Sequence, residues 1–170
     1  MKGIAAFTLA AALALGLAAC NDGKVYDSYR QTSLAGWEKT DTLFFGVPRL
    51  NKAGAYQPQL SLRITDKFPF TSFTLIVDEW VIHQKAVAGT NRQRLQLLKT
   101  DTLNCKLSNW KGSFNGQGVS NLQYSFPMGT VNLLPGDSLL IRVRHDMKRE
   151  TMPGVSDVGV QLFLQKSESV

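Results

Sequence analysis

The sequence predicts one all-β domain, a single antiparallel β-sandwich with a jelly-roll-like course, and three observations support this prediction. Short apolar stretches alternate with polar residues at period 2, which is typical of strands with one buried face. Turns containing Gly, Pro and Asn separate these stretches, as in sandwich folds. Apolar residues nowhere keep the i, i+3, i+4, i+7 spacing of a helix over three turns. A chain of 170 residues has room for one such domain.

The first 24 residues predict export and attachment to a lipid membrane. Lys2 is basic, and residues 3–17 form an apolar run with the length of a signal peptide, shorter than the roughly 20 apolar residues that span a bilayer. The run closes on Leu17-Ala18-Ala19-Cys20, which resembles the lipobox of bacterial lipoproteins, whose cysteine thiol accepts a diacylglyceryl group. The predicted organisation is a lipoprotein signal peptide (1–19), a lipidated tether beginning at Cys20 (20–24) and a β-sandwich domain (25–170).

The strands of the domain follow from the alternation, in chain order. Proline cannot donate to a sheet ladder, so Pro48 ends the strand that begins near Asp41. The longest apolar strand, 73–82, is a candidate for the centre of a sheet, whereas 92–99 is compatible with either a strand or a helical turn. Residues 25–29 either begin the first strand or lie along the edge of the domain. The other predicted strands are 41–47, 60–64, 73–82, 95–107 (one or two strands), 122–126, 131–134, 139–143 and 158–162.

A short repeat suggests that the sandwich has two similarly wound halves. The string Lys-Thr-Asp-Thr-Leu occurs at 39–43 and again at 99–103. About 25 residues after each copy, an alternating stretch ends in Phe-Pro. The hypothesis is that 41–82 and 101–144 are equivalent units; the alternative is that both strings are common ways to enter and leave a strand.

The stretch 135–164 combines a regular apolar alternation with a high density of charge. We predict a hairpin of two strands joined by a charged connection, because 142–150 holds seven ionisable residues in nine. Arginine side chains suit carboxylates and phosphates, so the hairpin is a candidate recognition surface; the alternative is a solvated turn whose ions pair with one another. The candidate interaction surface comprises Arg142, Arg144, His145, Asp146, Lys148, Arg149 and Asp157.

The sequence predicts no catalytic residue, metal site or cofactor. Gly136-Asp137-Ser138-Leu139 spells the string that names a family of serine esterases, but here it opens a strand and no Asp-x-x-His string follows. The chain has only two histidines, and Cys105 alternates with leucines, which predicts a small apolar residue of the core. We therefore predict that the protein is not an enzyme.

Charge and tryptophan content define two further expectations. A net charge of +6, dispersed along the chain, is too small to indicate a nucleic-acid partner. Trp37, Trp80 and Trp110 are expected to pack in the core or at its rim. If two of them instead flanked a cleft, they would make a sugar-stacking platform, so a glycan-binding envelope lipoprotein is the alternative function.

Three strings, together with the lipobox, carry a resemblance to a known family. They are WEKTDTLFFGVP (37–48), FPFTSFTLIVDE (68–79) and VRHDMKRETMPGVSDVG (143–159). With them the chain resembles the gliding-motility lipoproteins of the GldH type, found in the Bacteroidota. The resemblance covers essentially the whole chain after the predicted signal peptide and implies one defined site, the acylated Cys20, with no enzymatic residues.

The resemblance also implies a location and a role. It implies a lipoprotein of the outer membrane that is held in the bilayer through acylated Cys20 and acts as a structural, docking component of the cell-envelope gliding machinery. Its partners would be other proteins of that machinery. Surface-exposed lipoproteins of this phylum often carry several acids just after the cysteine, whereas this chain has only Asp22, which favours the periplasmic face.

Overall fold

A computed structural model of the protein describes residues 23–86 and 93–166, and all regular structure in these ranges is β. The predicted signal peptide and Cys20 lie outside the described residues. No helix in these ranges is long and apolar enough to cross a membrane. The strands are β1 (Lys24–Gln31), β2 (Trp37–Glu38), β3 (Leu43–Val47), β4 (Gly54–Ile64), β5 (Ser72–Ala86), β6 (Gln93–Lys106), β7 (Leu122–Pro127), β8 (Val131–Leu133), β9 (Ser138–His145), β10 (Thr151–Met152) and β11 (Val155–Leu164).

The strands form two antiparallel sheets, which confirms the predicted all-β sandwich class. Sheet I has the order β1-β11-β4-β7, with β8 also paired to β4, and sheet II has the order β3-β9-β5-β6. A two-residue ribbon of β2 and β10 stands apart from both sheets. Alternate residues of each sheet form one buried apolar core, as the period-2 pattern predicts. Its fully buried members include Leu60, Leu62, Val158 and Val160 from sheet I, and Phe73, Leu75, Ile141 and Val143 from sheet II.

Two details of the strand prediction are corrected by the structure. Residues 93–106 form one continuous strand, β6, so the helical turn considered for 92–99 is wrong over its described part. The predicted hairpin of 135–164 is also wrong, because β9 belongs to sheet II and β11 to sheet I. Alternation shows which face of a strand is buried, but it does not show which of two sheets the strand joins.

The strand order agrees with the hypothesis of two similarly wound units. Residues 41–82 supply β3, β4 and β5, which run from sheet II to sheet I and back. Residues 101–144 supply β7 and β8 and most of β6 and β9, and they make the same excursion. In this comparison β3 corresponds to β6, β4 to β7 and β5 to β9. Exchanging each strand with its counterpart gives the same order of sheet II, written from the other edge, and the same β4–β7 pair in sheet I.

The register of sheet II obeys the same exchange. The final leucine of the first Lys-Thr-Asp-Thr-Leu string pairs with Val143, and that of the second string pairs with Leu75. The exchange relates Ile76 of β5 to Arg144 of β9, and these two residues pair with each other. It therefore also relates Leu75 to Val143, the preceding residues of the two strands. The repeated string therefore occupies equivalent positions in the two units.

The sandwich has two ends, which we define by the chain segments that meet there. At the end where the described chain begins, the N–H of Leu164 donates to the carbonyl of Gly23 at 2.8 Å. We call this the tether end; it comprises 23–24, 48–53, 134–137 and 164–166. At the opposite, far end the N–H of Thr65 donates to the carbonyl of Gly154 at 2.8 Å. The far end comprises 32–42, 65–71, 107–121 and 146–154.

Candidate functional site

The charged connection, residues 146–150, leaves β9 at the far end of the sandwich. Lys39 fixes it there: its N–H donates to the carbonyl of Glu150 at 2.8 Å, and its Nζ donates to the carbonyl of Met147 at 2.9 Å. Lys39 Nζ also lies 3.9 Å from Asp146 Oδ1. Lys148 and Arg149 are exposed and form no ion pair with any residue in the described ranges. The connection thus presents two solvated cations on a backbone that is hydrogen-bonded to the fold.

His145 does not belong to this surface, contrary to its prediction as an interaction residue. The side chain is only 1 % exposed, because it continues the inward-facing row of β9. Its Nε2 donates to the carbonyl of Trp37 at 3.1 Å, and its Nδ1 accepts from the N–H of Met147 at 3.4 Å. The ring stacks on Phe73, with centroids 6.0 Å apart. Burial lowers the pKa of His145, which fits a neutral ring that links the connection to the core.

Arg142 and Arg144 lie on the outer face of sheet II, as the alternation predicts. Arg144 Nη1 is 3.4 Å from Asp78 Oδ2 on the neighbouring strand. The Arg142 guanidinium lies over the ring of Phe44, 5.7 Å from its centroid. Phe44 itself is half exposed, so this face combines cations with an accessible aromatic ring.

Asp157 is separated from the other predicted surface residues. It lies on β11 between the buried positions of sheet I, so its side chain is on the outer face of that sheet, and its Oδ2 accepts from Ser156 Oγ at 2.9 Å. The arginines of β9 are on the opposite side of the sandwich. The predicted surface is therefore wrong as a single patch, because the chain crosses from sheet II to sheet I between β9 and Asp157.

The Gly-Asp-Ser-Leu string closes a turn at the tether end. Gly136 has a positive φ of 87°, and the buried Asp137 accepts the N–H of Leu134 through Oδ2 at 3.0 Å. His83 Nδ1 lies 3.2 Å from Asp137 Oδ1, but no hydrogen bond joins Ser138 to His83 in the part of the chain described. Ser138 begins β9, in agreement with the interpretation of the string as a strand entry.

The tryptophans do not form the pair that a sugar platform needs. Trp37 is 1 % exposed and packs edge-on against Phe73, whereas Trp110 is 85 % exposed in the connection after β6. Trp80 lies on the outer face of sheet II, half buried between Leu97 and Leu140 of the flanking strands. The feature that would have favoured glycan binding is therefore missing among these three residues.

Cys105 occupies the predicted core position. It is fully buried, and burial raises the pKa of its thiol to about 12, so the thiolate that would react or bind a metal is not formed at neutral pH. Over 23–86 and 93–166, no three His, Cys, Asp or Glu residues lie close enough to hold a metal ion.

The sequence interpretation missed a charged cluster at the edge between the sheets. Glu79 is fully buried, and its Oε1 lies 3.2 Å from Lys99 Nζ, which also lies 2.9 Å from Asp101 Oδ2 and donates to the carbonyl of Gly129 at 3.0 Å. Burial raises the pKa of Glu79 despite the opposing attraction of Lys99. Burial alone would lower the pKa of Lys99, but Asp101 and Glu79 outweigh it and raise that pKa.

A signal for this cluster was present in the sequence. Glu79 shares the alternation of Phe73, Leu75, Val77 and Val81, which places its carboxylate on the buried face of β5. Lys99 opens the second copy of the repeated string. The exchange that relates the two units makes Met147 the counterpart of Glu79, so the leading lysines of both copies reach equivalent residues.

Comparison with known proteins identifies relatives along nearly the whole domain. A family model described as GldH lipoprotein matches residues 24–162. The gliding motility lipoprotein GldH of Flavobacterium johnsoniae is 23 % identical over 156 residues, covering 88 % of this chain and 90 % of that protein.

Two solved structures show a distant likeness to the chain. A protein from Sulfurospirillum deleyianum aligns over 83 % of this chain and 98 % of its own, at 11 % identity and a TM-score of 0.46. A family 35 carbohydrate-binding module from Clostridium thermocellum aligns over 81 % and 88 %, at 11 % identity and a TM-score of 0.37. Likenesses at these TM-scores carry no argument about function.

Proposed function

The chain belongs to the GldH lipoprotein family, and it is similar to a gliding motility lipoprotein. We propose that it is a non-enzymatic, lipid-anchored docking component of the cell-envelope gliding machinery. Its acyl anchor is Cys20, in the outer membrane, and its domain faces the periplasm. The far end of the sandwich, with the charged connection, binds a partner protein of that machinery.

The observation that carries this proposal is the position of the charged connection opposite the tether end. Gly23 is three residues from Cys20 and lies at one end of the sandwich, whereas Lys148 and Arg149 lie at the other. A domain anchored at one end holds the opposite end away from the bilayer, where it is accessible to proteins. Solvated cations on a fixed backbone suit recognition of acidic groups on such a partner, because little ordering is required on binding.

Replacing Cys20 with serine is expected to abolish acylation, because the hydroxyl does not replace the thiol as acceptor. Cells are grown with an alkyne analogue of palmitate, and label in the purified protein is measured after coupling to a fluorophore. We expect complete loss of label in Cys20→Ser. The matched control is Cys105→Ala, which removes the buried thiol and should keep the label. Labelling that persists without Cys20 would exclude the proposed anchor.

Charge reversal at the far end is expected to weaken partner capture while leaving the fold intact. In Lys148→Glu/Arg149→Glu both substitutions are at exposed positions, and surface changes of this kind alter stability by about 0.5 kcal/mol or less. We expect at least a tenfold loss of the protein adducts recovered after crosslinking in cells. Arg144 is left unchanged, because its reversal would place a second acid beside Asp78.

The control for this experiment makes the same charge change elsewhere. Arg94 and Lys106 are exposed on β6 and lie outside the far end, so Arg94→Glu/Lys106→Glu should retain the adducts. If both variants lose the adducts equally, capture depends on net charge and the connection is not the docking site. If neither loses them, the partner binds another face.

A further inference from the structure

We propose that the tether end of the sandwich rests on anionic phospholipid headgroups of the membrane that holds Cys20. This inference rests on the proposed acyl anchor, and it adds a second, protein-mediated contact with the same bilayer. Three peptide steps separate Cys20 from Gly23 and reach at most about 11 Å. A tether this short lets the tether end approach the bilayer to within the screening length at physiological salt, about 8 Å, where surface charges act on it.

The charge at this end is one-sided. Its described segments contain the cations Lys24, Arg49, Lys52 and Lys166, and a single acid, Asp137. Lys24 pairs with Asp27 of β1 at 2.9 Å, so the excess rests on the other three cations. Asp137 is buried and bonded to the turn at Leu134, so it offers no exposed negative charge. Arg49, Lys52 and Lys166 form no ion pair with any residue of the described ranges.

Arg49 and Lys52 line a cavity of about 390 Å³ beside the start of the described chain. Its wall also includes Val25, Tyr56 and Leu164, so cations and apolar side chains line the same depression. A headgroup combines an anionic phosphate with an apolar glycerol and acyl region, and this arrangement matches both parts.

Exposed apolar side chains occur at the same end. Leu134, in the turn before β9, is 62 % exposed, and Val25, which follows the tether end on β1 and lines the cavity, is 44 % exposed. Basic residues surrounding a few exposed aliphatic side chains are typical of surfaces that bind an anionic bilayer interface.

The far end has a different charge pattern. The basic excess at the tether end therefore does not simply reflect a positive charge spread evenly over the whole domain. Its segments hold equal numbers of acids and bases, so it offers an anionic surface no net attraction. The acids are Glu38, Asp41, Asp66, Asp146 and Glu150, and the bases are Lys39, Lys67, Lys111, Lys148 and Arg149.

Two exposed leucines, one at each end, allow a direct test. The lipidated full chain carries either Leu134→Cys or Leu34→Cys, labelled with a nitrobenzoxadiazole fluorophore whose emission rises in an apolar environment. The thiol of Cys20 is acylated and that of Cys105 is buried. The introduced cysteine is therefore the one that reacts with the label. Each labelled protein is reconstituted into vesicles of phosphatidylcholine, with or without about 30 % phosphatidylglycerol.

We expect the Leu134 label, and not the Leu34 label, to brighten about twofold or more with a blue shift when phosphatidylglycerol is present. About 1 M salt, which shortens the screening length to about 3 Å, should reverse the change. Adding Arg49→Glu/Lys52→Glu should abolish it.

Several outcomes would overturn the proposal. They are equal signals from the two positions, a Leu134 signal that is the same in both vesicle types, and a signal that survives charge reversal. Failure of the acyl anchor is distinguishable, because the protein would then not reconstitute into either vesicle and Cys20 would itself react with the label.

Discussion

Replacing Lys99 with methionine is expected to lower the free energy of unfolding by about 3 kcal/mol, because it leaves the fully buried Glu79 without a counter-charge. Removing one partner of a buried ion pair costs about 3–5 kcal/mol, and the lower part of that range applies because Lys99 is a quarter exposed. For a domain of this size the melting temperature should fall by about 10 °C. Urea unfolding followed by circular dichroism measures the change.

The pH dependence distinguishes loss of charge pairing from loss of packing. The folded state holds the pKa of Glu79 above its ordinary value of 4.5, so as pH falls towards 4.5 the folded state takes up a proton before the unfolded state does. The destabilisation of Lys99→Met should therefore be largest at neutral pH and shrink on acidification. A packing defect would not change over this range.

Two further variants complete the experiment. Glu79→Leu/Lys99→Met removes both charges and should recover most of the lost stability, because an apolar pair avoids the cost of burying ions. Lys106→Met, on the same strand but exposed, should change stability by about 0.5 kcal/mol or less. If the double variant is no more stable than Lys99→Met, Glu79 is not the group that needs Lys99.

Trp37→Ala is expected to cost about 4 kcal/mol, the usual loss for a large buried aromatic side chain. The indole packs edge-on against Phe73 and His145, and its Nε1 donates to the carbonyl of Asp41 at 3.0 Å. Trp37→Phe keeps a ring and loses this donor, so a smaller cost of about 1–2 kcal/mol is expected. Urea unfolding of purified protein measures both.

Trp110→Ala provides the matched control. The side chain is 85 % exposed, and the Lys111 ammonium lies 4.9 Å from its ring centroid. We expect a change of about 0.5 kcal/mol or less. An effect of similar size in the Trp37 and Trp110 variants would contradict the assigned burial of Trp37.

The sequence predicts the faces of the strands better than their partners. Period-2 alternation correctly identifies Ile141 and Val143 as buried and Arg142 and Arg144 as facing outward, because the pleat imposes that alternation on any half-buried strand. It cannot show that β9 and β11 join different sheets, because each strand buries its apolar face equally well in either. The false hairpin arose from this ambiguity.

In the candidate site, too, the sequence predicts local exposure better than it predicts which residues lie together in the fold. Lys148 and Arg149 are exposed as predicted, since a charged turn between strands gains little from burial. His145 was misplaced because a charged neighbourhood in sequence hid its position in the buried row of β9. Asp157 was misplaced because the chain changes sheets between it and Arg149. The lipid attachment at Cys20 lies outside the described residues and stays a prediction.

The exchange of the two units has a consequence for how the chain folds. Within 41–82 no two strands pair, and within 101–144 none of the described strands pair with one another either. Apart from the β4–β11 ladder, the described ladders of these units therefore join one unit to the other. Only β5 and β6, among consecutive strands of the described ranges, are hydrogen-bonded neighbours. High contact order of this kind slows folding. We therefore expect β5 and β6 to pair first, and the first half of the chain to join a sheet only once the second half is present.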